Sequence, residues 1–165
     1  MSGADSLHLF FCLVWRTVAD MLWILLAAAA GACLALQAAA NASLRGNLSD
    51  VRYAAFFSIC GTILTATIVM LAIRPPFPSA AAFRSAPWWN WIGGPLGALI
   101  VLSGAFLTPK LGAAAFIAAV IAGQVVCSLL LDHFGWMDVA RQELSPGRAF
   151  GAVLVVSGVL AVRYL

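Results

Sequence analysis

Charge is what this chain has least of: nine Lys or Arg and six Asp or Glu among 165 residues, 9% in all. A soluble domain carries roughly 25%. With 64% hydrophobic residues and a mean hydropathy of +1.02, the composition excludes a water-soluble fold. The net charge of +3 is scattered over many connectors, so no basic footprint for nucleic acid exists. Cysteine is sparse too. Cys12, Cys33, Cys60 and Cys127 lie in apolar sequence without paired spacing, which excludes a disulfide framework and a zinc motif and leaves them as small core residues. Glycine-rich phosphate loops, a Ser/His/Asp pattern and a two-His helix motif are all missing. One acid, one His near a span end and scattered serines supply no nucleophile and base, so neither an enzyme nor a cofactor or metal site is expected.

What the chain has instead is length of apolar sequence. Five runs, 21–44, 51–73, 88–107, 109–131 and 147–164, are each long enough to cross a bilayer as a helix. They are continuous and not alternating ten-residue segments, which excludes barrel strands. The fold class is therefore an all-α integral membrane protein with five transmembrane helices spread over residues 21–165. Residues 1–20 read as an N-terminal interfacial segment, in which Arg16 and Asp20 stand four apart like a surface pair. Ala30-Gly31-Ala32-Cys33 faintly resembles a lipoprotein cleavage box, but cleavage there would discard the polar end of the first span.

Boundary residues mark the spans. Asp50 is placed to cap the second, Pro75-Pro76 to stop it, and Thr108-Pro109 and Ser145-Pro146 to start the fourth and fifth. Gly46 and Gly135 are placed to end the first and fourth. Five spans put Arg16, Arg74, Arg84, Arg141 and Arg148 on one side of the membrane and Arg45, Arg52, Lys110 and Arg163 on the other. Five against four is nearly no bias. Such a chain can insert both ways round and form an antiparallel homodimer that reproduces an inverted repeat, or one span-end residue can fix a single orientation.

Polar residues inside the spans are the candidate site. Cys33, Gln37 and Asn41 follow one another at four-residue steps in the first span, and Gln124, Ser128 and Asp132 do the same in the fourth, leading to His133. A carboxamide in hydrocarbon needs a partner, so Gln37, Asn41 and Gln124, with Ser128, are candidate substrate ligands; the alternative is interhelical glue. Asp132 is the one acid in an apolar span, a candidate with His133 for coupling or gating. Alternatively it sits at the interface, paired with His133 or a loop Arg. Ser58, Thr62 and Thr65 can bond back to their own helix. Gly93, Gly94, Pro95 and Gly97 should weaken or kink the third span and allow close packing. Trp88, Trp89 and Trp91 suit a headgroup belt.

The runs Leu36-Gln37-Ala38-Ala39-Ala40-Asn41-Ala42-Ser43-Leu44, Trp88-Trp89-Asn90-Trp91-Ile92-Gly93-Gly94, Pro109-Lys110-Leu111-Gly112, Gly123-Gln124 and Asp132-His133-Phe134-Gly135, in that order, resemble the YdcZ-type branch of the drug/metabolite transporter superfamily. The resemblance implies a bacterial inner-membrane exporter, one five-helix half of a ten-helix transporter, completed by dimerisation. It supplies no established site residues. Small four-helix relatives use a glutamate in their first helix for proton exchange, and the first span here has none. The leading expectation is a secondary transporter whose partners are the bilayer, a small-molecule substrate and a second copy. A passive channel and a non-transporting scaffold are the alternatives.

Overall fold

A computed structural model describes the backbone of residues 3–165 and the side chains from residue 17 onward. The elements are α1 (Gly3–Leu48), α2 (Val51–Ile73), α3 (Ala80–Ser85), a 3-10 turn at Trp88–Trp91, α4 (Gly93–Leu111), α5 (Ala113–Phe134), a 3-10 turn at Trp136–Asp138 and α6 (Pro146–Tyr164). No strand occurs among the described residues. Among the described residues five stretches are helical, long and apolar enough to cross a membrane: Thr17–Leu48, Val51–Ile73, Trp88–Leu111, Ala113–Phe134 and Pro146–Tyr164. At 1.5 Å per residue, helices of this size extend for about 30 Å, the thickness of the hydrocarbon layer. The described residues form an all-α, multi-span helical bundle with five membrane-length apolar helices.

Two units divide the chain, Met1–Gln37 and Ala38–Leu165. The first is the long N-terminal part of α1, with Val18, Met21, Leu22, Trp23 and Leu25 all exposed. Its backbone continues as helix through the segment expected to be interfacial. Cys12 and the side chain of Arg16, and with it the expected Arg16 and Asp20 pair, lie outside the described residues. In the second unit α2 packs on α4, α4 on α5 and α5 on α6.

Most helix ends follow their chemistry. The Asp50 carboxylate accepts from the Arg52 N–H at 2.8 Å and caps α2. Arg74 closes α2 in the left-handed region, its N–H donating to the Met70 carbonyl, just before Pro75. Ser145 caps α6 by accepting from the Arg148 N–H, with Pro146 in the first turn, and Gly135 ends α5 at φ 64°.

Three ends differ from the sequence expectation. Gly46 lies inside α1, which runs on to Leu48 and stops where Ser49 turns left-handed at φ 56°. Pro109 does not start a helix. It lies within α4, where it removes one hydrogen bond to the Ala105 carbonyl, a loss that a membrane helix tolerates when its neighbours support it. The break comes at Gly112, whose φ 84° and ψ 152° are open essentially to glycine alone. Pro95 is not a mid-helix kink either. It sits in the first turn of α4, where its missing N–H is no loss, and the discontinuity falls between the 3-10 turn and Gly93.

The buried residues collect at one end of the second unit. Ala38 of α1, Ala54 and Ala55 of α2, Gly104 and Ala105 of α4, and Ala115 and Phe116 of α5 are buried, and all belong to the helix halves that meet near the α1–α2 and α4–α5 turns. We call this the packed end. A Cβ at Gly104 would stand 3.6 Å from both the Ala38 Cβ and the Phe116 ring, so glycine and alanine let the helices approach around one aromatic side chain. At the opposite, loop end, where α5 turns into α6, no residue is buried, and α6 has no buried residue anywhere.

Candidate functional site

Two polar constellations survive in this apolar framework, one at each end. At the packed end Asn41 and Thr108 are the buried polar side chains among the described residues, 5% and 7% exposed. Asn41 is three residues beyond Ala38 and Thr108 four beyond Gly104, the two positions where α1 and α4 approach, so each polar group lies about one turn past that contact. The Thr108 hydroxyl has no hydrogen-bond partner among the described residues, although its backbone carbonyl accepts from the Gly112 N–H at 2.9 Å. An unpaired buried hydroxyl costs about 1–3 kcal/mol, which a hydrogen-bonding solute or a moved Asn41 carboxamide would relieve.

The loop end is held by polar ties. Arg148, in the first turn of α6, pairs through its guanidinium with the Asp132 carboxylate in the last turn of α5. Residues 139–145 fold back over the same turn. The Gln142 N–H donates to the Asp132 carbonyl at 2.8 Å, Arg141 Nε donates to the His133 carbonyl at 3.1 Å, and the Leu144 N–H donates to His133 Nδ1 at 3.4 Å. Next to them, between α5 and α6, a cavity of about 270 Å³ is lined by Leu129, Leu130, His133, Leu144 and Ala149 among others. His133 thus has one face on the loop and another on an apolar space.

The remaining sequence candidates separate. Gln37 is half-buried at the end of the first unit, while Gln124 and Ser128 are exposed on α5. The Ser128 hydroxyl donates back to the Val125 carbonyl at 2.9 Å and needs no other partner. Thr62 and Thr65 do the same to Ser58 and Gly61, as their spacing suggests. The Gln124 side chain stands mid-helix with no hydrogen bond among the described residues. A Cβ at Gly93, Gly94 or Gly97 would meet nothing within 4 Å, so that glycine face is not packed inside the second unit. Trp88 and Trp91 are exposed, and Trp91 stacks on Phe83 at 5.9 Å, as belt residues can.

Sequence reading missed Thr108, taken as a cap, and the specific partner of Asp132. The second was recoverable: consecutive antiparallel helices ending at 134 and restarting at 146 bring the last turn of one beside the first turn of the other.

A family model described as "Putative inner membrane exporter, YdcZ" matches residues 22–161, which takes in almost all of the five spans. The chain belongs to this family. It is thus a multi-pass protein of a membrane-transport family within the drug/metabolite transporter superfamily. No curated protein and no solved structure matches it. The family match begins within α1, near the start of its apolar stretch, and ends three residues short of the end of α6.

Proposed function

We propose that the protein is a secondary transporter that moves small polar or amphipathic solutes across the bacterial inner membrane, working as a homodimer by alternating access. The observation that carries this reading is Gln124, a carboxamide exposed midway along a largely apolar span. In lipid it would forfeit about 1–3 kcal/mol or more, whereas a second copy laid against this face of α5 gives it a partner and completes the ten-helix arrangement of the superfamily. Gln124 and Ser128, with Asn41, then supply hydrogen bonds to the solute. Asp132 and His133 act at the gate, where the pair with Arg148 must part for α6 to move from α5. Oppositely inserted copies would give the dimer an inverted-repeat symmetry, consistent with the even division of basic residues.

Reconstituted vesicles test the reading. With a panel of radiolabelled amines, metabolites and dyes, the protein should give saturable uptake of at least one class, and Gln124→Leu should lower it severalfold while leaving the protein folded. Non-saturating flux would instead mark a channel. No flux from a folded dimer would leave a scaffold. Cys127, exposed and three residues from Gln124 on the same helix, reports the dimer: with the other cysteines replaced by Ala, oxidation in membranes should yield a covalent dimer. A monomer under those conditions and in native-lipid mass measurement would reject the dimer.

A further inference from the structure

The packed end carries more positive charge than its own carboxylates can answer. Arg45, Arg52, Lys110 and Arg163 all lie there. Among the described side chains the single acid at that end is Asp50, and it is fully engaged: Arg52 donates to both of its oxygens through Nε and Nη2, at 2.7–3.1 Å, and through its backbone N–H. Arg45, Lys110 and Arg163 have no carboxylate partner among the described residues.

Their arrangement is compact. The Lys110 ammonium stands 3.8 Å from the centroid of the Phe106 ring and the Arg45 guanidinium 5.6 Å from the same centroid. The two charges therefore lie no farther apart than about a Debye length, ~10 Å at 0.1 M salt, and repel. Arg163 donates to the Leu111 carbonyl at 3.1 Å, beside the start of α5. That helix begins at Ala113, behind Gly112, with no side-chain cap and no acid in its first turn, so its dipole adds to the positive field. A cavity of about 350 Å³ opens beside Arg45, bounded by Ala42, Gly46, Ser49 and Pro109.

The plainer account is that these cations only satisfy the last carbonyls of α1 and α4, as basic residues at helix ends do. It is insufficient. Arg45 spends a single long hydrogen bond, 3.4 Å, on the Phe106 carbonyl and keeps most of its five donors free. Lys110 has the ring alone, and a ring face neutralises no charge.

We propose that the packed end binds a phosphate group between Arg45 and Lys110, and that the phosphodiester of an anionic phospholipid supplies it. Both residues sit at the ends of apolar helices, at the depth where lipid phosphates lie, and a guanidinium fork with an adjacent ammonium is suited to a phosphate's oxygens. The bound headgroup would clamp the α1–α2 and α4–α5 turns together.

Native mass spectrometry of the full-length protein tests this, with phosphatidylglycerol and phosphatidylcholine offered in equal amounts. Wild type should retain phosphatidylglycerol preferentially. Each cation removed should weaken retention about fivefold, so Arg45→Gln with Lys110→Gln should lose it about 25-fold. The charge-matched change at the other end, Arg74→Gln with Arg84→Gln, should keep it, and Arg45→Lys should lose less than Arg45→Gln. Equal retention of both lipids by wild type overturns the proposal without any variant, as does undiminished retention by a folded Arg45→Gln, Lys110→Gln protein. If the double variant does not fold, Lys110→Gln alone decides on the same criterion. Inorganic phosphate separates the sources. If millimolar phosphate raises the thermal midpoint of wild type in neutral detergent and phosphatidylglycerol adds nothing, the ligand is free phosphate and the lipid assignment is overturned.

Discussion

The two ends of the bundle are held by different physics. At the packed end four helices meet through Ala38, Ala54, Ala55, Gly104, Ala105, Ala115 and one Phe116 ring, contacts that are short-ranged and lost together once the helices separate. At the loop end, where α6 packs along α5, residues 141–148 add one ion pair and a few hydrogen bonds to the last turn of α5, each separable singly and replaceable by water. On the proposed function one place stays closed while another yields, and at the loop end it is these polar ties that would part.

Substitution at Gly104 should break the packed end with the largest effect. Gly104→Ala places its methyl at ordinary contact distance from Ala38 and Phe116 and should leave the thermal midpoint nearly unchanged. Gly104→Leu drives four carbons into the same gap and should cost about 1–3 kcal/mol or prevent folding. Detergent-solubilised melting curves of the pair check this. A leucine variant as stable as wild type would mean that α1 and α4 do not approach at this point.

The two turn glycines sharpen the contrast. Gly112 has a backbone that glycine adopts and other residues essentially do not, whereas Gly135, at φ 64° and ψ 32°, is in the left-handed region that asparagine tolerates. Gly112→Asn should therefore destabilise by about 1–3 kcal/mol and Gly135→Asn by much less. Equal losses in thermal midpoint would refute the assignment of Gly112 as the α4–α5 break.

At the loop end Asp132→Asn or Arg148→Gln should each cost about 1–2 kcal/mol. That lies between an exposed pair and a fully buried one, since both side chains retain 23–31% exposure. A more specific readout is hydrogen exchange at Gln142 and Leu144, whose amides donate onto α5. Both should lose protection in either variant, with the packed end unaffected. Unchanged protection would show that the loop is held without the ion pair.

Much of this was legible beforehand, for a reason that also explains the misses. The spans were readable because hydrocarbon imposes one requirement on twenty consecutive residues, and Asp50, Ser145 and Gly135 act through bonds within a few positions of themselves. Pro109 misled because its local meaning is a helix start, while support from neighbouring helices lets α4 continue for three more residues. Thr108 misled with it. As a cap it would be at a surface, but in the structure it is buried beside the helix contact. The face of Gln124 was identifiable as costly in lipid, yet what covers it depends on a second surface that no single-chain pattern encodes.

The smallest expected effect isolates charge from capping at the packed end. The Arg52 side chain hydrogen-bonded to Asp50, and its amide behind it, hold the Asp50 carboxyl below the usual carboxylate range. A depressed folded-state value means that the pairing stabilises the protein at neutral pH and that this contribution disappears as pH falls through the folded value, below about 4. Asp50→Asn keeps the cap, because asparagine is as good a helix N-cap, and loses the ionic partner alone. Wild type should thus melt slightly above Asp50→Asn at pH 7, by an amount that shrinks with added salt, and the two curves should converge as pH falls through the depressed folded-state value. A gap that persists in acid would mean that the carboxylate contributes geometry and not charge, and Arg52 would then be free to join the phosphate-binding cations in place of answering Asp50.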